Sequence, residues 1–345
     1  MINLYENIRR QVQELIDIAN KSKQTLHVIT LFDNPYQCEA ATGMIFPAEI
    51  KDIEQGFLLS SLIYTAYTDY TEFEKDLRDG RFKNTSIKHL LYSTVQIGTG
   101  VERRSYIPSL CHRYKMYNLA CDAYLSGLLL NKAHYFLTLS QFSHVANTIV
   151  YAGQSTPVNE ILSEYVILKP SLECAALGVT KVKNDQFLIL EKASMMRKKY
   201  KEDIIIQEYI DGYEVSVPVI KGQDDYIAMP PVCVDFEGDI LTYDAVDDFK
   251  YRFKILPNED FPYNNLIPEL LEHSKSVMRF LNAECLTRID YRIKNSNDFF
   301  IFDIAALPVL ASTGTCWQSF KYLFNDNTSM FKAIIGSSLL NCDIY

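Results

Sequence analysis

No two of the eight cysteines, at 38, 111, 121, 174, 233, 285, 316 and 342, form a Cys-x-x-Cys pair, and none stands at a zinc-like spacing from a histidine. That excludes a structural zinc site of the usual kind, and the scatter reads as reduced, mostly buried thiols. No window reaches the roughly 18 apolar residues needed to span a bilayer. The amphipathic stretch 2–23 carries Glu6, Arg9, Arg10, Glu14 and Asp17, so it holds no continuous apolar core for a signal peptide. A cytoplasmic location is expected, with no membrane partner. Positive charge is not in excess either: a net charge of −9 and a pI near 5.3 argue against a nucleic-acid or anionic-membrane surface. The one basic run, Arg197-Lys198-Lys199-Tyr200-Lys201, is expected to be a solvated helix end. Internal repeats and low-complexity linkers are also absent.

What is present is a globular composition, 48% hydrophobic and 22% charged, with 23 Tyr and 19 Phe promising a core rich in aromatics. A chain of 345 residues is too long for one compact core and implies two or three subdomains. Strand patterns at 25–32 and 87–92 alternate with helical ones at 49–62 and 107–114, with a turn at Asp33-Asn34-Pro35. The first 120 or so residues are therefore expected to form an α/β subdomain with a largely parallel sheet. One helix is expected over 123–142, carrying Asn131 and Lys132. Short strands follow at 145–151, 165–169, 187–190, 204–210 and 213–221, then a helix at 266–281 and helical sequence from Trp317. The second half is thus α+β.

The segment TRIDYRIKNSNDFFIFDIAALP at 287–308 poses a chemical question. Arg288, Asp290 and Arg292 alternate with Ile289, Tyr291 and Ile293, the period of a half-buried strand, and 299–305 reads as its partner. With Asn295-Ser296-Asn297-Asp298 as a four-residue closure, Lys294 faces Phe299 and Asp290 falls opposite Asp303, their Cβ atoms about 4.5 to 5.5 Å apart. Opposed like charges on a sheet are destabilising unless something positive lies between them, and Mg2+ favours carboxylate oxygens. A closure one residue longer or shorter would instead turn the two carboxylates to opposite faces, leaving Asp290 to pair with Arg288 or Arg292 at the surface.

Two further stretches carry chemistry. In YVILKPSLECAALGVTKV, 165–182, an apolar strand delivers Lys169 and Pro170 into a loop of small residues, where a lysine can pair a phosphate chain while loop N–H groups cradle it. A plain strand end is the alternative. In IIIQEYIDGYEVSVPVI, 204–220, two strands are expected around a tight turn at Asp211-Gly212. Gln207, Glu208, Tyr209 and Ile210 can face a purine edge and Glu214 the ribose hydroxyls, or the segment is an ordinary hairpin.

The order of these pieces, with Lys132 before them and YDAVDDFKY (243–251) between, resembles the ATP-grasp superfamily over about 94–312. The D-alanine:D-alanine ligase branch is most similar, and GTGVERRSYIPSLCHRYKMYN at 98–118 resembles the end of that branch's first subdomain. The resemblance implies an ATP-grasp fold with an N-terminal α/β subdomain at 1–122, a central one at 123–203 and a C-terminal one at 204–345. It implies ATP and Mg2+, small carboxylate and amine substrates, and a homodimer. Position by position, it makes Lys132 and Lys169 the phosphate lysines and Cys174, Ala175 and Ala176 part of the phosphate-covering loop. Gln207, Glu208, Tyr209 and Ile210 line the adenine pocket, and Glu214 holds the ribose. Lys250 and Tyr251 belong to the mobile loop, Arg288 steadies the acyl phosphate, and Asp290 and Asp303 are metal ligands.

Departures accompany the match. The family's Glu, Asn and Gly are Asp303, Ala305 and Val309 here, so one metal ligand is missing, and its Gly-Ser-Ser is Cys174-Ala175-Ala176. The glutamate that binds the first amino acid's ammonium has no match in LFDNPYQ, 31–37. The expected function is an ADP-forming carboxylate-amine ligase of specialised biosynthesis making something other than a D-alanine dipeptide. The alternative is a degenerate module that binds nucleotide without turnover.

Overall fold

The computed structural model describes residues 2–32, 45–84, 86–153 and 161–341; Asp33-Asn34-Pro35, Cys38 and Cys342 lie outside the described residues. Tyr5, Ile8, Val12, Leu15, Ile16 and Ala19 recur at helical spacing and form the buried stripe of α1 (Ile2–Ser22). All six residues of β1 (Leu26–Leu31) are buried, as a strand covered on both faces requires. Then come α2 (Pro47–Ser60), β2 (Ile63–Tyr67), α3 (Tyr70–Asp79), β3 (Lys88–Ser93), α4 (Tyr106–Tyr114) and β4 (Tyr117–Asn118). The strands pair in parallel in the order β2-β1-β3-β4, the layer that the alternating pattern predicts. The edge strand β2 has only Tyr67 buried, so its sequence shows no apolar alternation.

The single helix expected over 123–142 is two, α5 (Ala123–Leu130) and α6 (Lys132–Leu139). Asn131 breaks them: it is extended, and its side chain accepts from the His134 N–H, satisfying one of the free donors that any helix start exposes. Next are β5 (Thr148–Tyr151), β6 (Tyr165–Pro170), β7 (Thr180–Lys183), α7 (Gln186–Tyr200) and β8 (Ile204–Glu208), giving an antiparallel sheet in the order β5-β8-β6-β7. The expected strand at 187–190 lies instead within α7. Four apolar residues in a row cannot set a period; Asp185, whose side chain caps the Leu188 N–H at 3.0 Å, and buried Ile189, Ala193 and Met196 make it helical. The basic run does close α7, with Lys201 as its left-handed cap.

The third sheet contains β9 (Tyr213–Lys221), β10 (Tyr226–Ala228), β11 (Val232–Phe236), β12 (Tyr251–Ile255), β13 (Thr287–Ile293) and β14 (Phe299–Ala305). Its antiparallel order is β12-β11-β9-β13-β14, with β10 on β9. Helix α8 (Tyr243–Asp247) precedes β12, and α9 (Ile267–Leu281) leads into β13. The 204–220 segment is therefore no hairpin, because β8 and β9 belong to different sheets. At the crossing, a Cβ on Gly212 would lie 2.1 Å from the Ile293 carbonyl oxygen, which is why glycine stands there. The last helices, α10 (Thr315–Phe324) and α11 (Ser329–Asn341), return to the first layer. A Cβ on Gly336 of α11 would meet the Leu15 carbonyl oxygen at 2.0 Å, so this glycine lets α11 lie against α1.

One apolar core joins α1, α2, α10, α11 and the third sheet, and Tyr92, Tyr135, Tyr291, Phe57, Phe299 and Phe331 are fully buried in the fold. Cys111, Cys121, Cys233, Cys285 and Cys316 are buried thiols, and Cys174 is a half-buried one. Among the described residues no helix is long and apolar enough to cross a membrane.

Candidate functional site

Asp290 does pair with Asp303, but not through the expected closure. Ile293 faces Phe299 and the Lys294 N–H bonds to the Asp298 carbonyl, so the closure is one residue longer than a four-residue loop. That register would set Asp290 opposite Phe302. A bulge between Asp290 and Tyr291 inserts one residue and restores the Asp290–Asp303 pair. The bulge also bends Phe302 out of the ladder, and its carbonyl oxygen accepts from Lys169 Nζ at 2.7 Å.

The positive charge that two facing carboxylates require comes from the protein. Asp290, 4% exposed, receives Arg288 through Nε at 2.8 Å and Nη2 at 2.7 Å, and the Ser216 hydroxyl at 2.7 Å. Asp303, 31% exposed, accepts from the Tyr135 hydroxyl, and Lys132 Nζ is 3.8 Å away. Burial pushes the Asp303 carboxyl up, but Lys132 and Lys169 outweigh it and hold it below the usual range.

These groups line a cavity of about 400 Å³ between the second and third sheets. Lys169, at the end of β6, also donates to Gln207 Oε1 at 3.0 Å. Its pKa falls to about 8, through burial and then through Lys132. Lys132, in the first turn of α6, donates to the Glu173 carbonyl at 2.9 Å. Cys174-Ala175-Ala176-Leu177 forms a tight turn, with the Leu177 N–H on the Cys174 carbonyl at 3.0 Å and both alanines at positive φ. Arg104 Nη2 donates to Cys174 Sγ at 3.3 Å; burial raises that thiol's pKa, but Arg104 and Lys132 bring it below the ordinary value. Glu214 pairs with Arg292 at 3.3 Å, and burial raises its carboxyl to about 7 against the pull of that guanidinium.

Gln207, Glu208, Tyr209 and Ile210 all line the cavity, yet their polar groups are largely engaged. The Gln207 amide is held between Lys169 and Thr148, and the Glu208 and Tyr209 N–H groups bond to Asn147 and Tyr165. Tyr251 lines the cavity; its neighbour Lys250, 69% exposed, pairs with Asp248 outside it. Lys250 is thus the predicted site residue that the structure does not bring in.

Four further residues line the cavity, Glu49, Thr315 and Phe46 at the opposite end and Arg104 beside the Cys174 turn. Glu49, in the first turn of α2, enters the cavity; its carboxylate accepts from Thr313 Oγ1 at 2.6 Å and the Phe46 N–H at 3.1 Å. It follows the 31–37 stretch, where no glutamate stands, and 33–44 lies outside the described residues. Thr315, 4% exposed, lines the cavity at the N-terminus of α10 with a buried hydroxyl that has no partner among the described residues, and Arg104 Nε likewise has none among them. Phe46 adds an aromatic ring beside them. Such groups carry no local sequence signal; only the return of α10 and the crossing of α2 make them neighbours.

The donor set fits a magnesium ion only in part. Two facing carboxylates are hard oxygen ligands, but among the described residues no group of three or more His, Cys, Asp or Glu is arranged to hold a metal. Asp290 is already engaged by Arg288 and Ser216. This matches a cation bound by one or two carboxylates and shared with substrate phosphates, not a protein-only cage.

Two antiparallel sheets enclosing a cavity with two buried lysines, behind a parallel α/β layer, constitute the ATP-grasp fold with an N-terminal α/β subdomain. The chain belongs to the family described as D-ala D-ala ligase C-terminus, whose model matches residues 136–335. A D-alanine–D-alanine ligase of Marinomonas sp. (strain MWYL1) is 28% identical over 182 residues, 51% of this chain and 54% of that protein. The chain thus spans about half the length of this curated relative. Among solved structures, a D-alanine–D-alanine ligase from Bacillus anthracis superposes with a TM-score of 0.66 at 15% identity, over 91% of this chain and 97% of that one. The same enzyme complexed with ATP gives a TM-score of 0.64 at 14% identity, with the same coverage. At such identity it is the fold that is shared.

Proposed function

We propose that this chain is an ATP-dependent carboxylate-amine ligase that forms an amide or peptide bond through an acyl phosphate. The observation that carries the reading is the convergence of Lys132, Lys169, Arg288, Asp290 and Asp303 on one cavity in a chain of this family. Ile167, Ile210, Val234 and Phe302 offer a purine an apolar slot, and Glu214 faces the ribose. Lys132 and Lys169 pair the phosphates, under the turn built by Cys174, Ala175 and Ala176. Asp290 and Asp303 would hold Mg2+, whose positive charge would offset the negative charge that develops during transfer.

An oxygen of the substrate carboxylate attacks the γ-phosphorus, the bond to the bridging oxygen breaks, and ADP leaves. Arg288, freed from Asp290, stabilises the acyl phosphate and the oxyanion that forms when the amine nitrogen attacks the carbonyl carbon. Phosphate leaves, and the nitrogen gives up its proton. Among the described residues, Glu49 accepts only from neutral donors, and it suits a substrate ammonium. The N-terminus of α10, with the unpartnered Thr315 hydroxyl, suits a substrate carboxylate. Tyr251 and Lys250 belong to a loop that closes over the bound reactants and excludes water. A three-part division, with its second boundary moved from 203 to after β8 because that strand belongs to the second sheet, completes the reading with a cytoplasmic homodimer and a place in specialised biosynthesis.

A nucleotide-binding module without turnover is favoured by one observation, the absence of a third metal ligand among the described residues. A single assay separates the two. A panel of carboxylates and amines should release ADP and phosphate in equal amounts, and hydroxylamine should trap the activated acyl group as a hydroxamate. AMP with pyrophosphate would overturn the acyl-phosphate route, and nucleotide binding without release across the panel would favour the module.

A further inference from the structure

Three aromatic rings stand beside Glu49. Phe46 and Phe249 have centroids 5.8 Å apart, Phe249 and Tyr251 6.3 Å, and Phe253 continues the row 5.2 Å from Tyr251; all four line the cavity. The wall is assembled from separate elements, because Phe46 precedes α2 whereas Phe249 and Tyr251 flank the start of β12. Tyr251 is tied by its hydroxyl to the Thr313 carbonyl at 3.4 Å, and Thr313 in turn bonds to Glu49. Charge anchor and apolar wall are thus one structure.

Phe249 is the telling member. It is 44% exposed, so much of a large apolar ring is left uncovered at the edge of the cavity. Its φ is 52°, in the left-handed region that a bulky side chain adopts at a cost. The backbone reason is plain: the Phe249 and Lys250 N–H groups close α8 on the Val246 and Ala245 carbonyls, at 3.2 and 2.8 Å. Glycine or asparagine is the usual residue for such a closure. A phenylalanine there serves no backbone purpose, and its ring faces Phe46. Strain retained at a cavity rim points to a use for the side chain.

We infer that the amino-acid substrate of this site bears a large apolar or aromatic side chain, packed against Phe46, Phe249 and Tyr251 while its ammonium rests on Glu49. The assignment rests on the ligase reading, since it names that reaction's substrate class. A methyl side chain would leave the rings wet, whereas a benzyl or isobutyl group covers them. One methylene in an apolar pocket is worth about 10-fold or more in discrimination.

The test measures calorimetric binding of the D and L forms of phenylalanine, leucine and alanine to the full chain with ATP and magnesium, with ADP release followed in parallel. Phenylalanine or leucine should bind at least about 10-fold more tightly than alanine in one enantiomeric series. In Phe249→Ala, checked for folding by its melting curve, that ratio should collapse toward one, and Phe249→Leu should keep part of it. Alanine binding as tightly as phenylalanine, or a ratio unmoved by Phe249→Ala, overturns the assignment. ADP release without side-chain preference would sink the assignment and leave the ligase reading standing. Tight phenylalanine binding with neither ADP release nor hydroxamate would overturn the ligase reading and leave only the pocket's side-chain preference standing, and absence of both binding and release would overturn both.

Discussion

The two ends of the cavity are built on opposite plans. At one end every ionic group is matched inside the protein: Arg288 with Asp290, Arg292 with Glu214, Lys132 with Asp303, and Lys169 with Gln207 and the Phe302 carbonyl. At the other, among the described residues, the Thr315 hydroxyl has no partner and Glu49 meets only neutral donors, and aromatic rings are half-open. A matched network holds its geometry without ligand and admits phosphates by exchanging partners. An unmatched surface contributes little to stability and is completed only by its ligand. The first end suits the shared chemistry of nucleotide use, and the second suits selection among substrates.

The sharpest way to break this comparison is Arg288→Ala. It removes the donor to a developing oxyanion and should lower kcat by about 100 to 1000-fold. It also strands the buried Asp290 carboxylate, so denaturant unfolding should show a loss of about 3 to 5 kcal/mol. Unchanged stability would mean that the matched end is not held by its ion pairs.

Lys169 gives the next effect. Its charged form pairs phosphate and is present below its pKa of about 8, so ATP affinity in titrations should hold at pH 7 and fall between pH 8 and 9. Lys169→Ala should weaken ATP by about 10 to 100-fold, the worth of a charge-assisted hydrogen bond. Lys169→Arg, which stays charged, should bind without the step near pH 8.

Ala305 lies two residues beyond Asp303 and lines the same cavity. Ala305→Asn should lower the half-saturating magnesium for ATP binding by roughly 10-fold, taking changes in a metal's surroundings as the guide. An unmoved curve would leave the cation to the two aspartates and the nucleotide alone. The smallest effect belongs to the open end. Thr315→Val removes a hydroxyl that has no partner among the described residues, so stability should stay within about 0.5 kcal/mol while KM for one amino acid rises.

The same division explains what could be read in the sequence. Strands β13 and β14 announce themselves because one face is apolar and the other charged, yet their register depends on a bulge that no local pattern encodes. The α7 helix hides behind Phe187, Leu188, Ile189 and Leu190, whose apolar run fits either period, and the deciding signal is the cap at Asp185. Asn131 is a similar case, a cap inside what reads as continuous helix. At the site, the Arg-x-Asp of a half-buried strand shows in its alternation, whereas the lysines at strand and helix ends stand out only through the order of motifs that carries the family resemblance. Glu49, Arg104, Thr315 and Phe46 reach the cavity only through tertiary crossings.

The approach of α11 to α1 through Gly336 also has a consequence for how the chain folds. The apolar stripe of α1 is covered largely by α10 and α11, some three hundred positions further along. Contacts of such separation are entropically slow to form. During synthesis, Val12, Leu15, Ile16 and Ala19 are made long before the helices that cover them, so this layer is expected to depend on chaperones until α11 emerges.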